Sequence, residues 1–269
     1  MTDVVHEIRD QVMHVTLDGA DTMNSISPQV VAGLNDVLAV AEIDPSLRAV
    51  VITGAGEKAF SVGMDITFLG SCFDDPQGTF LPFLQTFHAV LQRIEALPVP
   101  VIARVNGLAR AGGFELILAC DFVIAADEAR VGDIHLEFGM PPGAGSSQRA
   151  ARKLGDQKAK ALMLTPLWLD GPSLVRWGLA LSSAPRAGLD AEVENLLSSL
   201  RGRSRPAIAI TKAAINAAQQ LPLAEGLRHE LELFGRLHEI APVEAREGYQ
   251  AFVDRRTPSW GDFDVTELR

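Results

Sequence analysis

Cysteine is scarce in this chain: Cys72 and Cys120 are the only two among 269 residues. Two thiols cannot build a disulfide framework or a paired CxxC metal site, and they suit a reducing compartment. Basic residues are outnumbered too. Lys and Arg total 24 against 34 Asp and Glu, a formal charge of −10. That balance excludes a general grip on the nucleic-acid backbone, but leaves room for a local basic pocket. No apolar run approaches the roughly 18 residues of a membrane span. The longest candidate, residues 99–109, is cut by Arg104, Asn106 and Gly107. The first ten residues carry acids and no apolar stretch, so no secretory signal is expected and the expected location is cytoplasmic. What remains is ordinary globular material, 47% apolar and 22% charged. A chain of this length can bury about 70% of its surface without covalent staples.

The patterning divides the chain. Residues 12–17 alternate as a strand, with 4–8 as a pairing partner. Ser27-Pro28 reads as a helix cap followed by a first-turn proline. Val30, Leu34, Val37, Leu38 and Ala41 recur at helical spacing behind it. Residues 49–53, 100–105 and 122–125 are short β-branched runs without alternation, the pattern of strands buried on both faces. Helical stretches at 83–97 and 113–119 lie between them, so the pattern predicts an α/β domain with crossover connections. Beyond Ala150 the signal is helical, with almost no strand: 158–164, 170–178, 190–200, 207–219 and 223–240. The last carries Leu227, Leu231, Phe234 and Leu237 on one face. The expected division is an α/β core over 1–199 and a helical region over 200–269.

Four segments depart from simple patterning. In Phe60-Ser61-Val62-Gly63-Met64-Asp65, Gly63 permits a sharp turn and Asp65 is placed to cap a helix. In Asn106-Gly107-Leu108-Ala109-Arg110-Ala111-Gly112-Gly113-Phe114-Glu115, a strand leads into a glycine pair that opens a helix. Free N–H groups there favour developing negative charge, and Glu115 follows inside an apolar run. In Gly132-Asp133-Ile134-His135-Leu136-Glu137-Phe138, an extended backbone places Asp133, His135 and Glu137 on one face. Pro141-Pro142-Gly143-Ala144-Gly145 reads as a turn feeding a helix, with Gln148-Arg149 behind it. No Gly-Lys-Ser/Thr follows, so it is not a phosphate loop.

Taken together and in order, these segments resemble the crotonase superfamily, the enoyl-CoA hydratase/isomerase family. Asn24 matches the end of its N-terminal motif. Thr53-Gly54-Ala55-Gly56 with Phe60 to Asp65 resembles its Thr-Gly-x-Gly…Phe-x-x-Gly-x-Asp signature, and 103–121 its Ala-x-Val-Asn-Gly-x-Ala-x-Gly-Gly-Gly-x-Glu block. Pro142-Gly143-Ala144-Gly145 with Gln148-Arg149, Trp177-Gly178-Leu179, and Glu247-Gly248 with Arg255-Arg256 and Pro258 follow in family order. The fold this implies is a (ββα)n spiral core with a helical C-terminal trimerisation region. The implied function is acyl-CoA processing through a thioester enolate, most naturally hydration of a 2-enoyl-CoA.

By resemblance, the oxyanion donors fall on the Met64 and Gly112 N–H groups, and the first catalytic glutamate on Glu115. The second family glutamate falls where this chain has His135. Asp133 or Glu137 is placed to orient it. The resemblance assigns CoA contact to Ser61, Val62, Gly63 and Asp65, with Arg255 and Arg256 reaching the phosphates from a neighbouring subunit. Residues 83–89, with Leu136, Phe138 and Met140, are expected around the acyl tail. No metal and no permanently held cofactor are implied; coenzyme A arrives as part of the substrate. The expected partners are the acyl-CoA and further copies of the chain, as a homotrimer or homohexamer. Because His135 replaces a glutamate, three alternatives accompany hydration: isomerisation, retro-Claisen C–C hydrolysis, and a catalytically altered acyl-CoA-binding member.

Overall fold

The computed structural model describes residues 1–261. β1 (Asp3–Arg9) and β2 (Val12–Asp18) form an antiparallel hairpin, turned by Asp10 and Gln11 at φ 50° and 63°. α1 (Pro28–Ile43) begins where the Ser27 hydroxyl accepts the Val30 N–H, with Pro28 in its first turn. Its buried face is Val30, Val31, Leu34, Val37, Leu38 and Ala41, the helical stripe the spacing predicts.

A strand–strand–helix unit then repeats. β3 (Ala49–Gly54) and β4 (Ala59–Ser61) precede α2 (Ile66–Cys72) and α3 (Leu81–Ala96), with one π turn at Pro76–Phe80 between the helices. β5 (Val101–Val105) and β6 (Leu108–Arg110) precede α4 (Gly112–Ala119). β7 (Phe122–Ala126) and β8 (Arg130–Gly132) precede a 3-10 turn at His135–Phe138 and α5 (Ser146–Leu154). The first strand of each unit joins a six-stranded sheet in the order β1-β2-β3-β5-β7-β9, parallel from β2 onward. The second joins a separate three-stranded parallel sheet, β4-β6-β8. The chain therefore spirals, one layer per unit. β3 and β5 are buried almost throughout, as their unalternated β-branched composition requires.

α6 (Asp156–Leu164) and α7 (Gly171–Trp177) follow, then β9 (Ser182–Ala184), α8 (Leu189–Arg201), α9 (Arg205–Ala217), α10 (Leu223–Ile240) and α11 (Pro242–Val253). β9 is the one named strand past Ala150 among the described residues, in a stretch whose pattern shows almost none. Its three residues pair with β7, and that is too short a run to show a period. α9 is tied to the core by Lys212, whose ammonium reaches Asp121 at 2.6 Å and the carbonyls of Val99 and Ile94 at 3.1 and 3.3 Å. Asn216 adds a bond to the Glu95 carbonyl, and the Arg205 guanidinium donates to the carbonyls of Asp44 and Pro45. α10 presents its apolar face uncovered: Leu227, Leu231 and Phe234 are all exposed, and Leu237 is half-buried. No helix of the described residues is long and apolar enough to cross a membrane.

Candidate active site

Two buried asparagines brace the loop after β3. Asn24 donates to the Ala55 and Ala59 carbonyls, and Asn106 donates to those of Gly54, Gly56 and Ala59. Their side chains serve the scaffold. They hold the strand β4, from which the segment 61–65 emerges. The Ser61 hydroxyl is buried and accepts the Gly63 N–H at 3.2 Å. Asp65 caps α2, accepting the Thr67 and Phe68 N–H groups at 3.0 Å.

Gly63 sits at φ 85°, and a Cβ there would lie 2.9 Å from the Gly112 nitrogen. A Cβ on Gly113 would overlap the Ser61 carbonyl oxygen. The two segments thus touch backbone to backbone, which only glycine allows. That contact brings residue 64 alongside the start of α4. Among the described residues, neither the Met64 nor the Gly112 N–H donates to a protein acceptor. Ala111, just before Gly112, holds φ 48°, a strained conformation for a residue with a Cβ. Its N–H donates to the Asp133 carbonyl at 3.0 Å, which keeps it there.

Glu115 lies one turn into α4 and is 2% exposed. Its Oε1 accepts the Ala144 N–H at 2.7 Å and the Ser146 N–H at 3.2 Å. Burial pushes its carboxyl pKa up; the charge of His135 and the two N–H donors oppose that rise. The donors come from the glycine turn and the first residue of α5. The turn is legible in the sequence; its two donors and their target are not. The only sequence signal is the general one, that a helix N-terminus carries unpaired N–H groups.

His135 stands across from Glu115, its Nε2 3.9 Å from the Glu115 Oε2. Its Nδ1 meets Asp133 Oδ1 at 3.0 Å. Desolvation lowers the His135 pKa, but the bond to Asp133 and the charges of Asp133 and Glu115 outweigh it, so the pKa is raised. Asp133 is wholly buried, and its second oxygen, Oδ2, has no hydrogen-bond partner. The extended segment expected here is not formed. Ile134 turns at φ 58° and the chain enters the 3-10 turn, which breaks the alternation of side chains. Asp133 and His135 still meet, but Glu137 is carried out to solvent.

The other expected residues divide. Phe87 approaches Gly112, with its Cε1 3.5 Å from where a Cβ would stand, and Phe83 stacks against it. Leu136 and Phe138 are exposed on the single chain; Phe138 lies under the Arg110 guanidinium. Arg255 is exposed beyond α11, and no bond links it to 61–65 among the described residues. Arg256 is engaged by Glu247, whose pKa falls to about 2. A cavity of about 1260 Å³ opens elsewhere, between α3, α5 and α9; none of Met64, Gly112, Glu115 or His135 lines it. No cluster of metal-ligating side chains occurs among the described residues.

This geometry offers two spare N–H donors at a backbone contact, with a buried carboxylate facing an imidazole. It can hold a developing oxyanion and exchange protons beside it. Comparison with known proteins agrees in family and in fold. Residues 7–263 match the family model described as enoyl-CoA hydratase/isomerase. "Probable enoyl-CoA hydratase echA8" of Mycobacterium tuberculosis is 34% identical over 254 residues, covering 94% of this chain and 95% of that one. A crotonyl-CoA hydratase of Syntrophomonas wolfei is 30% identical, covering 94% and 96%. Among solved structures, an enoyl-CoA hydratase from Polaromonas superposes with a TM-score of 0.91 at 29% identity, covering 96% of this chain and all of that one. One from Bacillus anthracis gives 0.89, also at 29%, covering 96% and 98%. With the match running nearly end to end, the chain belongs to the enoyl-CoA hydratase/isomerase family.

Proposed function

We propose that the protein hydrates the double bond of a 2-enoyl-CoA thioester, with Glu115 and His135 as its acid–base pair. The observation that carries this reading is the buried Glu115 carboxylate 3.9 Å from the His135 imidazole, on the helix that begins with the spare Gly112 N–H. The thioester carbonyl oxygen accepts from the Met64 and Gly112 N–H groups. The Glu115 carboxylate takes a proton from water as the oxygen bonds to Cβ. The π electrons move onto the thioester as an enolate, whose negative oxygen is met by dipoles already in place. The His135 imidazolium then delivers a proton to Cα, and the proton on Glu115 returns to His135 for the next turnover. Asp133 favours that imidazolium and fixes which ring nitrogen faces Glu115.

In this reading Ser61, Val62, Gly63 and Asp65 lie along the CoA moiety, and Arg255 of a neighbouring subunit approaches its phosphates. The exposed apolar face of α10 supports a homotrimer or homohexamer, since such a face is costly to leave in water. A division into a core, 1–199, and a helical region, 200–269, fits that assembly. The Asp133–His135 couple favours a second reading, in which His135 activates water for attack on a ketone carbonyl in a retro-Claisen cleavage.

The test is to incubate the protein with crotonyl-CoA, follow loss of the enone absorbance, and weigh the product. Gain of one water supports hydration. Turnover of a cyclic β-diketone without enoyl-CoA turnover supports the second reading. Tight acyl-CoA binding with no turnover of either leaves a binding protein.

A further inference from the structure

The buried Glu115 carboxylate is held by two N–H groups, one in an irregular turn and one at the first residue of the helix that follows it. Such a turn keeps its shape only if something else holds it. The turn runs from Pro141 to Gly145, and Gly145 takes φ 106°. Arg149 stands one helical turn further along α5, and its guanidinium folds back. Nη1 donates to the Ala144 carbonyl at 3.0 Å. Nε and Nη2 donate to the two carboxylate oxygens of Glu95, on α3, at 2.7 and 2.9 Å. The fork geometry uses both edges of the guanidinium at once, which a lysine cannot reproduce.

The carbonyl that Arg149 holds belongs to the peptide between residues 144 and 145. The peptide before it supplies the Ala144 N–H, and the peptide after it supplies the Ser146 N–H. Arg149 therefore holds the one peptide that lies between the two donors of Glu115. We propose that Arg149, anchored by Glu95, is a positioning residue that holds the Ala144–Ser146 turn and so keeps both N–H donors on the Glu115 carboxylate. Its side chain is 12% exposed and that of Glu95 36%. The pair is thus shielded enough to be rigid, yet reachable by solvent on the Glu95 side.

Losing Arg149 frees the turn, and one or both donors leave Glu115. Burial then acts on the carboxylate with less to oppose it, the charge of His135 remaining, and its pKa rises further. The catalytic role of Glu115 rests on the hydration reading; its ionisation does not, so the two are tested separately. The carboxyl carbon of Glu115 is followed by NMR in protein labelled with 13C at glutamate side chains, and assigned by its disappearance in Glu115→Gln. The variants are Arg149→Lys, Arg149→Ala and Glu95→Gln, each taken forward only with a folded circular-dichroism spectrum. Expected is an upward move of the Glu115 titration, largest in Arg149→Ala and smaller in Glu95→Gln, with Arg149→Lys between. With a responsive enoyl-CoA, the acid limb of the kcat/KM profile should move the same way, and the rate at neutral pH should fall roughly tenfold. If Glu115 titrates in Glu95→Gln and in any folded Arg149 variant as it does in the parent, the proposal is overturned. If the titration moves while no enoyl-CoA is turned over, the positioning stands and the hydratase reading fails.

Discussion

The backbone carbonyl of Asp133 accepts the N–H of Ala111 at 3.0 Å. The same residue's carboxylate binds His135. One buried aspartate thus fastens both halves of the site. Its main chain secures the strained residue that aims the Gly112 N–H, and its side chain sets the imidazole that faces Glu115. A disturbance at 133 reaches the start of α4 and the His135 imidazole together.

Replacing Glu115 with Gln should separate chemistry from folding. The amide still accepts the Ala144 and Ser146 N–H groups through its oxygen, so acyl-CoA binding should stay near parental while turnover falls roughly 100-fold or more. Stability should move the other way. The native pKa of Glu115 lies above that of an unfolded glutamate, so at neutral pH the buried charge opposes folding. Below the ordinary glutamate range the group is protonated in both states and the penalty vanishes. Denaturation midpoints should therefore favour Glu115→Gln near pH 7, with the advantage shrinking toward pH 4. Equal midpoints at both pH values would show that Glu115 is not raised.

His135 is expected to lose function by a different route. His135→Gln keeps a donor but cannot carry charge, so turnover should fall while the thioester still binds, and the basic limb of the pH profile should disappear. The native imidazole has a raised pKa, so its contribution to stability is full below the ordinary histidine value and fades as pH rises through the native one. A melting series from pH 5 to 9 should show that loss in the parent and not in His135→Gln. Parental turnover and pH profile in His135→Gln would make the residue a filler.

Two small substitutions should act in opposite directions where the segment 61–65 meets the start of α4. Gly63→Ala places a methyl 2.9 Å from the Gly112 nitrogen at φ 85°, so both conformation and space reject it. It should cost stability by about 1 kcal/mol or more and reduce turnover sharply. Ala111→Gly removes the Cβ from a backbone already at φ 48°. It should be neutral or stabilising by up to about 1 kcal/mol, with activity retained. Urea denaturation and a crotonyl-CoA assay read both; a stable, active Gly63→Ala would show that the backbone contact is not needed.

Lys212→Met should be among the more damaging single changes outside the site. It leaves the Asp121 carboxylate with the Val101 N–H but without its bonded cation, where burial already raises its pKa, and it strips a donor from the Ile94 and Val99 carbonyls. Breaking one partner of a pair this buried typically costs about 3–5 kcal/mol. Adding Asp121→Asn should recover part of the loss. A double variant no better than Lys212→Met alone would locate the cost in the carbonyls instead.

Local physics carried the sequence reading far. α1 was legible because a serine cap, a first-turn proline and a 3.6-residue stripe all act within a few residues of one another. β3, β5 and β7 were legible because burial on both faces demands unbroken β-branched runs. Gly112-Gly113 before Glu115 was legible as a helix start, because the absence of two side chains is itself the signal for close backbone approach. The tertiary structure decided the rest. Ala144 and Ser146 reach Glu115 across 29 and 31 residues, and no periodicity encodes such a meeting. Ile134 turns left-handed because the Asp133 carbonyl is committed to Ala111 and its carboxylate to His135, partners invisible to an alternation rule. The stripe on α10 was readable as a stripe, but periodicity fixes only which residues share a face. What lies opposite that face is a matter of three-dimensional packing, and within the described residues Leu227, Leu231 and Phe234 stay exposed.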